Sequence, residues 1–233
     1  PVRGAAAPGR PVGARDGRRA RVADYRLHCF AESGNAYKVA LALSMARADW
    51  EAVHVDFFAG ETRGEGFREL NVMGEVPVLE HRGEVVTQSG AVLDYVSAVE
   101  ERFDPGPENA REAMRWLLFD ASKLSGMLGP WRFVARLAPE AQRRPDVIAF
   151  LEGRARRALD VLERHLESRD WIAADWLTIA DLACAGYLFY DGEYPIDWAA
   201  DFPNIEAWRA RLRAEEGWAG PYDLMARAHG GAT

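Results

Sequence analysis

The chain has 233 residues, of which 48% are hydrophobic and 28% are charged, and it carries a formal net charge of −7 at pH 7. These values are ordinary for a globular protein, and no segment comes near the roughly 18 uninterrupted apolar residues that a membrane span requires. Positive charge is concentrated in residues 1–23, which hold six arginines and one aspartate. The acidic remainder would repel phosphate backbones, so we expect neither a membrane nor a nucleic acid as a partner.

The opening segment, residues 1–23, is rich in Pro, Gly, Ala and Arg and shows no apolar periodicity. A segment of this composition buries too little apolar surface to fold, which favours a disordered basic extension. A nucleic-acid arm and a targeting peptide are the alternatives for so basic a stretch. The sequence leaves the role of this extension open.

Cysteine and histidine are sparse in this chain. Cys29 and Cys184 are the two cysteines, and the five histidines are scattered. Neither a C-x-x-C pair nor the ligand spacing of a zinc site is present, so we expect no disulfide framework and no metal. Two thiols in apolar surroundings are typical of a protein from the reducing cytoplasm.

Strands and helices alternate in the first half of the chain. The residue pattern predicts four strands, at residues 25–30, 51–56, 76–80 and 84–87. A helical period follows the turn residues 32–35 and joins the first two strands, which should therefore be parallel. The last two strands flank a glycine-containing turn and should form an antiparallel hairpin. With a short helix near residues 67–70 and a longer one after Ser89, the order is β-α-β-α-β-β-α.

The second half is helical in period. Residues 103–108 combine aspartate, glycine and two prolines, a composition that predicts a linker between two domains. Helices are expected from about Asn109 to Phe133, over residues 147–166, over residues 178–190 and from Pro203. This division gives an α/β domain at residues 24–102 and an all-helical domain at residues 109–233.

Two short motifs after the β-α-β unit carry candidate chemistry. Pro77 opens the third strand, where a cis Val76–Pro77 bond would expose the backbone of Val76 to a peptide ligand. Gln88 and Ser89 stand at the beginning of a helix, where a hydroxyl and free N–H groups can bind a carboxylate. Each motif alone is more often a turn proline or a capping serine. Their combination at this spacing favours a binding site.

Together with their surroundings, these motifs resemble the cytosolic glutathione transferase superfamily. The matching stretches are residues 33–39, 74–77, 88–89, 115–120, 171–181 and 218–225. The resemblance covers all but residues 1–23, and the turn from Ser33 to Asn35 is similar to the Ser/Thr-x-Asn turn of bacterial members. It implies a thioredoxin-like N-terminal domain, an all-α C-terminal domain, glutathione as co-substrate and a homodimer.

The resemblance also assigns a glutathione site. Gln88 and Ser89 would hold the γ-glutamyl end of the tripeptide. Val76, fixed by Pro77, would pair its backbone with the cysteinyl unit.

One position departs from the family pattern. Glu75 precedes Val76 where many relatives have Lys or Gln facing the tripeptide. A carboxylate there would repel the glycyl carboxylate of glutathione, so we expect Glu75 to point to solvent. Arg63, in the glycine-rich loop, would supply the positive charge instead.

Ser33 and Asn35 are the candidate catalytic residues. By the resemblance, they lie where the glutathione sulfur needs hydrogen-bond donors and where a helix N-terminus favours a thiolate. The alternative is that Ser33 only caps the helix, and one hydroxyl could serve both purposes. Cys29 lacks the Cys-Pro-Phe arrangement of reductive members, so we leave it out of the catalytic residues and expect a small buried hydrophobe.

Two further features concern the helical half. Trp131 and Phe133, late in its first helix, are the aromatic residues expected to line an apolar pocket over the thiol. Thr178 and Asp181 form a capping-box pattern, which the resemblance associates with nucleation of a buried helix. We assign this pair to folding and expect a buried, hydrogen-bonded Asp181 carboxylate.

Three functions fit these observations. The leading hypothesis is conjugation of the glutathione thiolate to an apolar electrophile. The second is glutathione-dependent reduction of disulfides or peroxides, and the third is a non-catalytic binding or assembly module on the same fold. The identity of the electrophile and the geometry of a dimer stay open.

Overall fold

The computed structural model describes residues 23–225, so the predicted extension at residues 1–23 lies outside the described residues except for Ala23. The first half contains a four-stranded sheet with helices, and the second half is helical. The strands are β1 (Tyr25–Cys29), β2 (Trp50–His54), β3 (Val78–His81) and β4 (Glu84–Thr87). The helices of the first half are α1 (Gly34–Met45), α2 (Glu65–Leu70) and α3 (Ser89–Glu100).

The sheet has the strand order β2-β1-β3-β4. Strand β1 pairs in parallel with β2, with Tyr25 opposite Trp50, and antiparallel with β3, with Leu27 opposite Leu79. Strands β3 and β4 form the predicted antiparallel hairpin. Helix α1 is buried along most of its length because it contacts both the sheet and helices of the second half. The mixed sheet and the element order of a thioredoxin-like domain are thereby confirmed.

The second half is all-helical, as predicted. Its helices are α4 (Gly106–Phe119), α5 (Ser125–Arg132), α6 (Pro145–His165), α7 (Ile179–Ala185), α8 (Trp198–Asp201), α9 (Pro203–Ala214) and α10 (Pro221–Leu224). A π-helical turn at Asp120–Leu124 joins α4 to α5, and a second one follows at Phe133–Leu137. Within residues 23–225, no helix has the length and apolar character needed to cross a membrane.

The beginning of α4 and the end of α7 differ from the expected positions. Helix α4 begins at Gly106 with Pro107 in its first turn, so residues 106–108 of the predicted linker are helical. Helix α7 ends at Ala185 instead of continuing to residue 190. At that point the chain passes so close to α1 that a Cβ on Gly186 would lie 2.9 Å from the Gly34 carbonyl oxygen.

The predicted capping box at the beginning of α7 is confirmed. The Thr178 hydroxyl accepts from the Ala180 N–H, and the Asp181 carboxylate accepts from the Thr178 N–H. Asp181 is fully buried and also accepts from the Ile172 N–H and the Trp208 indole. This carboxylate therefore ties α7 to the preceding loop and to α9.

Candidate functional site

Three of the segments that carry predicted site residues lie at one end of the sheet. His28, near the end of β1, is opposite Val78 at the beginning of β3, and Val78 is opposite Thr87 at the end of β4. The segments that follow β1, precede β3 and follow β4 therefore meet at the same edge. These three segments carry the candidates of the first turn, the strand-opening proline and the beginning of α3.

Ser33 and Asn35 lie at the N-terminus of α1. Ser33 is its N-cap, and the Ser33 hydroxyl accepts from the Ala36 N–H at 3.2 Å. The capping role considered above is therefore present in the structure, and a hydroxyl that accepts can still donate its proton to a second partner. Asn35 is partly exposed at this end of the helix.

A buried ion pair lies directly behind Asn35. Lys38 Nζ donates to Asn35 Oδ1 at 2.8 Å and contacts Asp120 Oδ2 at 2.5 Å. The Ser125 hydroxyl donates to the other Asp120 oxygen at 2.6 Å. Because Asp120 belongs to the π-helical turn after α4, the helical half reaches the N-terminus of α1 through this pair.

The ring of Tyr187 covers the first residue of α1. A Cβ on Gly34 would lie 2.6 Å from that ring and 2.6 Å from the Gly186 carbonyl oxygen, so the position requires glycine. Burial raises the pKa of Tyr187, although the backbone N–H groups of Gly34 and Asn35 act to lower it. A neutral phenol from the helical half thus lies at the same helix end as Asn35.

Gly34→Ala should destabilise the contact between the two halves. The added methyl group must displace the Gly186 backbone or the Tyr187 ring, so we expect a loss of about 1–3 kcal/mol in the free energy of unfolding, the usual cost of overpacking. Urea unfolding measures this loss. Gly66→Ala on α2 is the control, because no atom lies within 4 Å of its Cβ position, and it should not destabilise. Equal stability of the Gly34 variant and the wild type would contradict the close approach.

A second helix N-terminus lies under a folded loop. Helix α3 begins with Ser89, and Gln88 before it has a φ of +69°. The Gln88 amide donates to Glu75 Oε2 at 3.1 Å and contacts the Met73 sulfur at 2.9 Å. Glu75 is exposed to solvent, as expected, and its carboxylate accepts this hydrogen bond at the beginning of α3.

Asn71 explains how Glu75 comes to lie there. This residue is buried, its side-chain amide donates to the Glu75 carbonyl at 2.7 Å, and its Oδ1 accepts from the Met73 N–H at 3.1 Å. Gly74 has a φ of +64°, and a Cβ on it would lie 2.8 Å from the Thr62 carbonyl oxygen. The loop before β3 is therefore folded tightly against its neighbours. Sequence reasoning missed Asn71, since its only local signal is an Asn at the end of α2.

The segment that opens β3 has the predicted form. The Val76–Pro77 peptide bond is cis. Strand β3 begins at Val78, and among the described residues no backbone hydrogen bond engages the N–H or C=O of Val76. This short stretch of backbone is available to pair with an extended ligand.

Two arginines border the same loop. Arg63, the predicted cation, is exposed at the end of the 3₁₀ turn Glu61–Arg63. Arg68 on α2 is also exposed, and its Nε lies 3.8 Å from the position that a Cβ would take on Gly74. Arg68 is therefore a second candidate cation, which the sequence analysis did not name.

The helical half also holds the turn before Ser33. The Tyr190 hydroxyl donates to the Ala31 carbonyl at 2.7 Å, and Arg132 donates to the Glu32 carbonyl at 2.6 Å. The Arg132 guanidinium is buried and lies 3.8 Å from the centroid of the Tyr190 ring. These contacts fix the backbone that leads from β1 into α1.

An aromatic cluster adjoins this turn. Phe30 stacks on Phe57 with ring centroids 4.7 Å apart, and Phe57 contacts Phe58 and Phe133 edge-on at 5.5 and 6.4 Å. Phe133 is 37% exposed, whereas Trp131 is 1% exposed and lies in the core. Residues two apart on a helix face different directions, so of the two predicted pocket residues only Phe133 is accessible. Phe30 and Phe57 were not predicted.

Both cysteines lie away from solvent in this structure. Cys29 and Cys184 are both buried and unbonded. Burial raises the pKa of the Cys29 thiol to about 12. The prediction that Cys29 is a small buried hydrophobe is confirmed. Over residues 23–225, no cluster of His, Cys, Asp and Glu side chains is suited to hold a metal ion.

Both halves of the chain match known protein families. Residues 24–98 match the N-terminal domain of glutathione S-transferases, and residues 131–216 match the C-terminal domain. The two matches occur in the order of the α/β and helical halves described above.

Individual proteins match over nearly their whole length. The chain is 29% identical to glutathione S-transferase 2 of Schizosaccharomyces pombe, over 89% of this chain and 98% of that protein. It is 28% identical to the disulfide-bond oxidoreductase YfcG of Escherichia coli, over 79% of this chain and 88% of that protein. A solved structure of a possible glutathione S-transferase from Rhodopseudomonas palustris is 32% identical, with a TM-score of 0.78, and the match covers 85% of this chain and 98% of that one. The chain belongs to the glutathione S-transferase family.

Proposed function

We propose that the chain is a glutathione transferase that activates the glutathione thiol for addition to an apolar electrophile. The observation that carries the proposal is the pair of side chains Ser33 and Asn35 at the N-terminus of α1. They lie at the same sheet edge as the unpaired backbone of Val76 and the beginning of α3. Membership of the family supports glutathione as the co-substrate.

We propose a partner for each part of glutathione. Its γ-glutamyl carboxylate binds the Ser89 hydroxyl and the free N–H groups of α3, because a helix N-terminus favours an anion. The Glu75 carboxylate, held by Gln88, faces the γ-glutamyl ammonium. The cysteinyl unit pairs with the backbone of Val76, and the glycyl carboxylate lies toward Arg63 or Arg68.

Thiol activation requires a modest free energy. A free thiol has a pKa of about 8.5, and lowering it by about 2 units corresponds to ~2.7 kcal/mol. Hydrogen bonds from Ser33 and Asn35, together with the end of α1, can supply this amount. The electrophile then lies against Phe133 and the aromatic cluster. Cys29 takes no part, because it is buried and its thiol remains protonated.

Glutathione-dependent reduction is the second candidate function. It is favoured by the 28% identity to a protein named as a disulfide-bond oxidoreductase. Product analysis separates the two reactions, because conjugation yields a thioether and reduction yields glutathione disulfide.

The test incubates the protein and glutathione with 1-chloro-2,4-dinitrobenzene in one arm and with a small disulfide in the other. We expect the dinitrophenyl thioether in the first arm, formed with release of chloride. Glutathione disulfide from the second arm alone would establish the reductase instead. Retention on glutathione resin without turnover in either arm would identify a non-catalytic binding module.

A further inference from the structure

A deeply buried ion pair joins the two halves of the protein. Lys38 on α1 is 0% exposed, and Asp120 after α4 is 2% exposed. Burying two charges has a large desolvation cost, and apolar residues of the same size often stabilise a fold equally well. Stability alone therefore does not account for this pair. Its contacts indicate what else it does, because Lys38 Nζ also binds Asn35 Oδ1.

We propose that Lys38 and Asp120 are positioning residues for thiol activation, which orient the Asn35 amide so that its Nδ2 group faces the glutathione sulfur. This inference rests on the proposed function and adds the device that makes Asn35 a donor. The two ends of an amide differ: Oδ1 only accepts, and Nδ2 only donates. An inverted amide would present an oxygen to the thiolate and repel it.

The ion pair favours one of the two orientations of the Asn35 amide. With Lys38 Nζ held 2.8 Å from Oδ1, inversion would place two donors against each other. Asp120 keeps the ammonium in place, and the Ser125 hydroxyl, 2.6 Å from Asp120 Oδ1, fixes the carboxylate in turn. A cation on the oxygen side also polarises the amide, which strengthens the hydrogen bond that Nδ2 donates. The helical half thereby sets the chemistry of a residue in the sheet domain.

The test replaces the pair with apolar residues and measures the pKa of the bound glutathione thiol by its ultraviolet absorbance. Lys38→Met/Asp120→Leu avoids leaving one deeply buried charge unpaired, which would be strongly destabilising. We expect the thiol pKa to rise by about one unit, the same rise that we expect for Asn35→Ala. Combining the pair replacement with Asn35→Ala should give no further rise, because both changes remove the same hydrogen bond.

Arg209→Met is the matched control. Arg209 on α9 is also 1% exposed and paired with carboxylates, those of Asp191 and Glu206. Its replacement should reduce stability and leave the thiol pKa at the wild-type value. A general loss of packing would shift the thiol pKa in both the pair replacement and Arg209→Met. A positioning role shifts it only in the pair replacement.

Each contrary result has a distinct meaning. Three results would overturn the positioning role and leave the proposed function intact. They are a wild-type thiol pKa in the pair replacement, an additive rise of the pKa in the combined variant, and an unchanged pKa in Asn35→Ala. A thiol pKa near 8.5 in the wild-type complex overturns the proposed function and this inference together. If the pair replacement does not fold, a crystal structure of the wild type with glutathione decides: Asn35 Nδ2 on the sulfur supports the role, and an amide turned away from Lys38 overturns it.

Discussion

Replacing Asp181 with alanine should lower the free energy of unfolding by about 3–4 kcal/mol, because the change leaves several buried donors without an acceptor. Those donors are the N–H groups of Ile172 and Thr178, the Thr178 hydroxyl and the Trp208 indole. The carboxylate lies at the beginning of α7 and not at the sheet edge. Glutathione affinity of the folded variant should therefore equal that of the wild type.

Urea unfolding and calorimetric titration with glutathione measure the two quantities. Asp175→Ala is the control, since Asp175 lies in the same segment and is exposed. Its stability should stay within about 0.5 kcal/mol of the wild type. If the Asp181 variant lost glutathione binding at unchanged stability, Asp181 would be a ligand-binding residue and not a folding residue.

The same carboxylate gives a pH dependence with a definite sign. Burial raises the pKa of Asp181 to about 6, against the hydrogen bonds that act to lower it. A raised folded-state pKa means that the contribution to stability is complete below about pH 4 and is lost as the pH rises through about 6. The stability difference between wild type and Asp181→Asn should decrease over this interval. A difference that increases with pH would show that the carboxylate is ionised throughout.

Ser89→Ala should weaken glutathione binding by about 10-fold to 150-fold while the protein stays folded, because a hydrogen bond to a charged group contributes about 1.5–3 kcal/mol. Ser89 is the first residue of α3, and its hydroxyl would bind the γ-glutamyl carboxylate together with the free N–H groups of that helix. Isothermal calorimetry gives the dissociation constant. Ser122→Ala is the control, because the Ser122 hydroxyl donates to the Leu118 carbonyl in a different part of the chain. Equal affinities of the Ser89 variant and the wild type would place the γ-glutamyl site elsewhere.

Local patterns predicted most of the fold. The hairpin around Gly83, the helix that Ser33 caps and the capping box of Thr178 and Asp181 depend on residues close together in sequence. Such features follow from turn chemistry and hydrophobic period. The ends of α4 and α7 were harder to predict. At Gly186 the helix stops where the two halves meet, which is a tertiary effect.

The candidate site was predictable only in part. Ser33 and Asn35 were predicted from the resemblance of their turn to that of bacterial family members, and Ser89 from its position at the beginning of a helix. The sequence did not indicate the Lys38–Asp120 pair, whose members are 82 residues apart. Nor did it indicate the hydrogen bond between Gln88 and Glu75, since the fold of that loop depends on Asn71.

The pKa of glutathione's thiol in the wild-type complex tests the central claim most directly. Ultraviolet absorbance of the thiolate against pH should give a value about two units below the usual ~8.5. Ser33→Ala and Asn35→Ala should each raise it by about one unit, or ~1.4 kcal/mol, and the double variant should raise it further but not additively. Cys29→Ala should match the wild type. A wild-type value near 8.5, or identical curves for the wild type and both single variants, would contradict thiol activation by these residues.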